Sequence, residues 1–208
     1  MTRPGVWRDE AHDFNDLLAR VKRIELAMSS SHVASLDAAL PSTPSDGQDF
    51  YYSLPDGGQW HFRFNERTGL WDFVGGPPIV SIPANDSWSG RSFSTYQTLT
   101  NEGSTNAPSL TVPFAGSYLA SFGGVGWSDV NGTTVSLGLS VNGNTPSTNA
   151  DVVAVVAAAN QNIPMTRAVP AITLAANDVL TLRGKGSGSG WGFYSRLNIV
   201  LTPTDVFL

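Results

Sequence analysis

The sequence predicts a mainly β protein in three parts: an N-terminal coiled-coil helix, a small three-stranded β meander and a C-terminal antiparallel β-sandwich or jelly roll. Three observations lead there. Apolar residues near the N-terminus recur at alternating spacings of three and four, and aromatic residues then crowd one short window between turn sequences. From about Ser87 onward, short alternating runs rich in Val, Thr and Ser follow one another between Gly, Asn and Pro signals.

In residues 1–28, Trp7, Phe14, Leu17, Val21, Ile24 and Met28 fall on the a and d positions of a heptad, broken only at Glu10. Asp9, Glu10, Asp13 and Asp16 come early and Arg20, Lys22 and Arg23 late, which complements the helix dipole. A helix of roughly 33 Å, at 1.5 Å per residue, can pair with copies of itself or lie along its own sheet. Arg20 at g and Glu25 at the following e suit the first option, bridging neighbouring helices. Residues 29–47, small and polar with Pro41 and Pro44, read as a linker.

Residues 48–78 hold Phe50, Tyr51, Tyr52, Trp60, Phe62, Phe64, Trp71 and Phe73, divided by the turns Pro55-Asp56-Gly57-Gly58 and Glu66-Arg67-Thr68-Gly69. Alternation places Phe50, Tyr52 and Leu54, then Trp60, Phe62 and Phe64, then Trp71 and Phe73 on one face. His61, Arg63 and Asn65 share the other. Three strands cannot bury such a face alone, so it needs a partner surface, from this chain or from another copy. Pro44, Gly47, Tyr51, Tyr52, Trp60, His61, Arg63, Asn65, Trp71, Val74 and Gly75-Gly76-Pro77-Pro78 form a pattern that resembles a small module of structural proteins in tailed bacteriophages, notably minor tail proteins. The resemblance implies that Tyr52, Trp60, Phe62, Phe64, Trp71 and Phe73 belong to a module that mounts the chain on a virion.

Residues 79–86 read as an extended connector, and 87–208 as the sandwich, with strands expected at 93–99, 109–113, 117–125, 133–141, 151–158, 166–174, 179–183 and 191–201. Within it, Phe114-Ala115-Gly116-Ser117-Tyr118, the run Leu139 to Gly143, the run Ile172 to Leu182 and the closing Trp191 to Ile199 resemble the complement-type globular head of the tumour-necrosis-factor-like superfamily. Asn177 stands where that pattern has Gly; Asn also enters left-handed turns. The resemblance implies a jelly roll and a homotrimer, which would make the N-terminal stripe a trimerisation helix.

With 14% charged residues and a net charge of -5, no Lys/Arg cluster offers a nucleic-acid footprint. The absence of cysteine excludes disulfides, thiolate metal sites and a thiol nucleophile. No signal peptide and no apolar run near the roughly 20 residues needed to span a bilayer occur, so synthesis in a host cytoplasm without membrane insertion is expected. His12, His32 and His61 show no ligand spacing, no G-x-S-x-G elbow exists, and Gly184 to Gly190 lacks the ending of a phosphate loop. Asp86, Asp129, Asp151 and Asp178 do not group into a metal site by spacing, and Asn131-Gly132-Thr133 suits a hairpin turn. No catalytic, cofactor or metal residue is therefore assigned. Trp127 and Trp191 are candidate stacking surfaces for sugars, the alternative being that both plug the sandwich or the trimer axis, as buried aromatics dominate such cores.

The expectation is a non-enzymatic virion protein: a minor tail protein, spike or fibre, homotrimeric, bound to other tail or capsid proteins and contacting a host-surface glycan or protein. A capsid decoration or head-fibre protein is the second reading. A polysaccharide-degrading enzyme would need paired carboxylates, and the β region is poor in acids.

Overall fold

The computed structural model describes residues 39–82, 88–91, 94–99, 108–193 and 197–207. The heptad helix, with Trp7, Phe14, Leu17, Val21, Ile24 and Met28, lies outside the described residues. In chain order the strands are β1 (Asp49–Ser53), β2 (Gln59–Asn65), β3 (Leu70–Gly75), β4 (Ile79–Ser81), β5 (Trp88–Arg91), β6 (Gln97–Thr98), β7 (Ser109–Thr111), β8 (Gly116–Ser128), β9 (Thr133–Val141), β10 (Asp151–Val156), β11 (Ile163–Leu174), β12 (Val179–Gly186), β13 (Trp191–Phe193) and β14 (Asn198–Val206). No helix occurs among the described residues.

Two antiparallel sheets pack face to face. The first runs β1-β2-β3-β14-β8-β13-β5, with β11 on the other side of β8 and β4 on β14; the second runs β10-β9-β12-β6, with β7 on β12. Take the eight strands β4, β7, β8, β9, β10, β11, β12 and β14. One sheet then reads first, eighth, third, sixth and the other second, seventh, fourth, fifth. That interleaving is a jelly roll, two Greek keys folded over a shared core.

Period-two alternation builds the interior. Leu180 and Leu182 on β12, Val135, Leu137 and Leu139 on β9, and Tyr118, Ala120 and Phe122 on β8 all turn inward and are buried. The expected turn chemistry is present: Asn142 and Gly143 both have positive φ, and Asn177 takes the left-handed conformation at φ 69°.

The meander is where the structure departs from the expected division of the chain. β3 hydrogen-bonds to the end of β14, pairing Trp71 with Val206 and Asp72 with Asp205, so β1–β3 extend the first sheet instead of standing apart. Residues 79–81 of the expected connector form β4 on the same edge of β14. One apolar cluster runs through both regions, from Phe50 and Trp60 to Leu180 and Phe193.

The aromatic face finds its partner within the chain. Phe114, just before β8, meets Phe50, Tyr52 and Phe62 with ring centroids 5.9, 4.8 and 6.1 Å away, each close to edge-on. That is a favoured aromatic geometry. Tyr118 closes the layer against Trp60 and donates its hydroxyl to the Phe114 carbonyl at 2.7 Å. Trp60, Phe62 and Trp71 are fully buried, Phe64 is buried, and Tyr52 and Phe73 are half-buried. Those six side chains are core, and the face they form is not free to dock on another protein.

Candidate functional site

In an antiparallel sheet, residues paired across strands share a face. On the outward side of the first sheet, Val80, Val200, Ser121 and Ala168 form one such row. Thr202 and Leu119 form the row on one side of it; Asn198, Gly123 and Thr166 form the row on the other. None of these residues is charged. Leu119 is 49% exposed, Val80 45% and Ile82 66%. Leu119, Val200 and Pro170 also line a shallow depression of about 200 Å³. An uncharged face on a continuous sheet, with Leu119, Val80 and Val200 set among small and polar neighbours, has the charge depletion expected at the centre of an interface.

Charge begins at the next row toward the meander. Asp49, Arg63, Asp72, Asp205 and Ser117 are paired in sequence across five strands. Asp49 Oδ1 accepts from Arg63 Nε at 2.9 Å and lies 2.8 Å from His61 Nε2, while Tyr51 stacks on the His61 ring at 4.5 Å. Asn65 donates to Asp72 at 3.0 Å. The polar face expected from His61, Arg63 and Asn65 is thus an outward hydrogen-bonded network.

Burial alone would raise the Asp49 carboxyl, but hydrogen bonds from Arg63 and His61 outweigh it and hold the pKa below its ordinary 3.8. A carboxylate depressed in the folded state adds stability above its unfolded value and loses that contribution as pH falls through the folded one. Asp49→Asn is therefore expected to lower Tm at neutral pH by about 1–2 °C, the gap closing on acidification below 3.8. Melting curves of both proteins across that range check this; a gap independent of pH contradicts it.

Trp191 does not offer a surface. It is fully buried, set edge-on to Phe193 at 5.8 Å, and approaches Gly186 so closely that a Cβ there would stand 2.3 Å from the indole. Trp127 is half-buried. Because Ser128 pairs with Trp191 and Trp127 with Gly192, the two indoles point to opposite faces of the sheet and form no joint platform. Of the four aspartates considered, Asp86 lies outside the described residues. Asp151 accepts from Tyr96, and Asp178 accepts from Asn142 and the Ala175 amide. Among the described residues no three His, Asp or Glu side chains converge on a possible metal position.

The apolar face was not legible beforehand. Leu119, Val80 and Val200 are ordinary strand residues in the sequence, and only the register of β4, β14, β8 and β11 gathers them.

No protein-family model and no curated protein matches the chain. Solved structures that match include the tumour necrosis factor Eiger from S. frugiperda, 14% identical over 61% of this chain and 92% of that one, with a TM-score of 0.42. Dimeric latent PorU from Porphyromonas gingivalis matches at 15% identity over 64% of this chain and 13% of its own, TM-score 0.34. An exo-beta-1,3-galactanase from Phanerochaete chrysosporium matches at 12% identity over 74% and 44%, TM-score 0.24. The jelly roll itself rests on the strand pairing of this chain.

Proposed function

We propose that this chain is a non-enzymatic structural protein of a tailed-phage virion, a minor tail protein of the spike or fibre type. It assembles as a homotrimer through the apolar face of its first sheet and turns the rest of the jelly roll toward the host surface. The observation that carries the proposal is the uncharged outward face around Leu119, Val80 and Val200. Left in water, such a face favours association.

A second apolar strip, Val153 and Val155 on β10 at the end of the second sheet, is 55% and 58% exposed. Two different patches on one chain meet head to tail, and a head-to-tail contact closes into a ring when the rotation allows. The resemblance to the complement-type head, and the heptad spacing expected at the N-terminus, support a ring of three copies. Three copies present three identical sites on one body, so weak contacts to a host surface gain strength through effective concentration. The resemblance of the meander to phage minor tail modules supports the tail location. Since the aromatic side of the meander is covered, attachment to the particle uses its outward side, where Tyr51, His61, Asp49 and Arg63 lie.

Gold-conjugated antibody raised against this chain and applied to purified particles tests the location. Label at the tail tip is expected. Label confined to the head would transfer the protein to capsid decoration, and unlabelled particles would end the virion reading.

A further inference from the structure

The outward face of the second sheet carries a different kind of surface. Arg183 and Lys185 project from it two residues apart on β12, in a chain whose net charge is -5. Among the described residues neither cation forms an ion pair. Arg183 donates to the carbonyls of Gly143 and Tyr96, and its Nε is buried without a partner. The Lys185 ammonium sits 4.5 Å from the centroid of the Tyr96 ring. The nearby carboxylate, Asp151, is taken by the Tyr96 hydroxyl at 2.8 Å. Burial first, and then Asp151, push the pKa of that hydroxyl up, so it remains a donor to Asp151.

Beside Lys185 lies a shallow cleft of about 320 Å³, lined by Ser94, Thr134, Ser136, Lys185, Gly186 and Ser187. Its walls are fixed. Ser187 donates its amide to the Thr134 carbonyl at 2.9 Å and accepts the Thr134 amide on its hydroxyl at 2.9 Å. Gly186 is seated on the buried Trp191. The start of the glycine-rich loop is thereby pinned, which lowers the ordering cost of filling the cleft.

We propose that this cleft binds an acidic saccharide, with Lys185 meeting the sugar's carboxylate and the hydroxyls of Ser94, Thr134 and Ser187 meeting its ring hydroxyls. An ammonium on a flexible stem serves as a point charge for a carboxylate. The Ser and Thr hydroxyls both donate and accept, as sugar hydroxyls require, and the lysine methylenes offer an apolar flank for ring C–H groups. Two cations beside the one carboxylate of Asp151 leave a net single positive charge, which suits one negative group and is too little for the backbone of a nucleic acid. The inference rests on the host-facing reading above and names the class of host molecule.

Saturation-transfer NMR on the full chain tests it, with N-acetylneuraminic acid and galacturonic acid as probes, galactose as the neutral control and inorganic phosphate as the charge-only competitor. Transfer is expected to the two acidic sugars and to be about tenfold weaker to galactose. Lys185→Ala should lose it to about the same extent, and Lys185→Arg should retain a measurable part. Unchanged melting temperatures would show that both variants are folded. Equal transfer to galactose, undiminished transfer in Lys185→Ala, or full displacement by phosphate at equal concentration would each overturn the proposal. Particle labelling does not involve Lys185, so the two readings can fail separately.

Discussion

Trp60→Ala is expected to remove about 3–5 kcal/mol of unfolding free energy and to weaken meander and jelly roll together. Trp60 is fully buried and touches rings from both parts: Tyr52 at 6.1 Å, Phe62 at 6.0 Å, Phe73 at 6.3 Å and Tyr118 at 6.5 Å. Its indole nitrogen also donates to the Pro77 carbonyl at 2.7 Å, a bond that truncation would leave unmade. Urea unfolding at fixed protein concentration, followed by tryptophan fluorescence and by circular dichroism, should show one transition at a lower midpoint with an unchanged slope. A first transition confined to the meander, followed by a jelly-roll transition at the wild-type midpoint, would show that the two do not share a core.

Leu119→Lys is expected to abolish self-association while leaving the fold intact. Leu119 is already 49% exposed, so lysine there costs the monomer little. In the assembled form the ammonium would be enclosed beside Val200 and Thr202 with no carboxylate in its own row, the first, Asp205, standing one row away opposite Ser117. Leaving such a charge unpaired costs about 3 kcal/mol or more, roughly a hundredfold in each contact's dissociation constant. Sedimentation velocity should show the variant as a single slow species, and its circular dichroism should match that of the wild type. A variant sedimenting with the wild type would place the interface elsewhere.

Local features of the fold were legible wherever local physics decides them. The left-handed turns at Asn142-Gly143 and Asn177 depend on side-chain size and hydrogen bonding within a few residues. The long strands β8, β9, β11 and β12 announced themselves by alternation, and the two faces of the meander sorted as the alternation required. The expected 93–99 strand shortened to Gln97–Thr98, and the expected 191–201 strand divided into β13 and β14.

What stayed hidden depends on register between distant segments. No pattern in residues 48–78 says that Trp71 will pair with Val206, or that Phe114 and Tyr118 will cover the aromatic face. The option that the meander's partner would come from the same chain was open in the sequence, and long-range pairing decided it. Trp191 illustrates the converse. Beside a glycine loop it reads either as a surface platform or as a plug of the sandwich, and the loop's Gly186 is what lets the indole sit buried beneath it. The cleft at Lys185 draws on Ser94, Thr134 and Ser187 from three separate stretches, so no single motif could have marked it.

The claim on which the proposed function depends is that the apolar face of the first sheet is covered by further copies of this chain. Light scattering coupled to size-exclusion chromatography at micromolar concentration tests it most directly. A mass near three times the 22.1 kDa of one chain is expected. A well-folded species at 22.1 kDa would contradict it, since that face would then stand open to water in the stable protein.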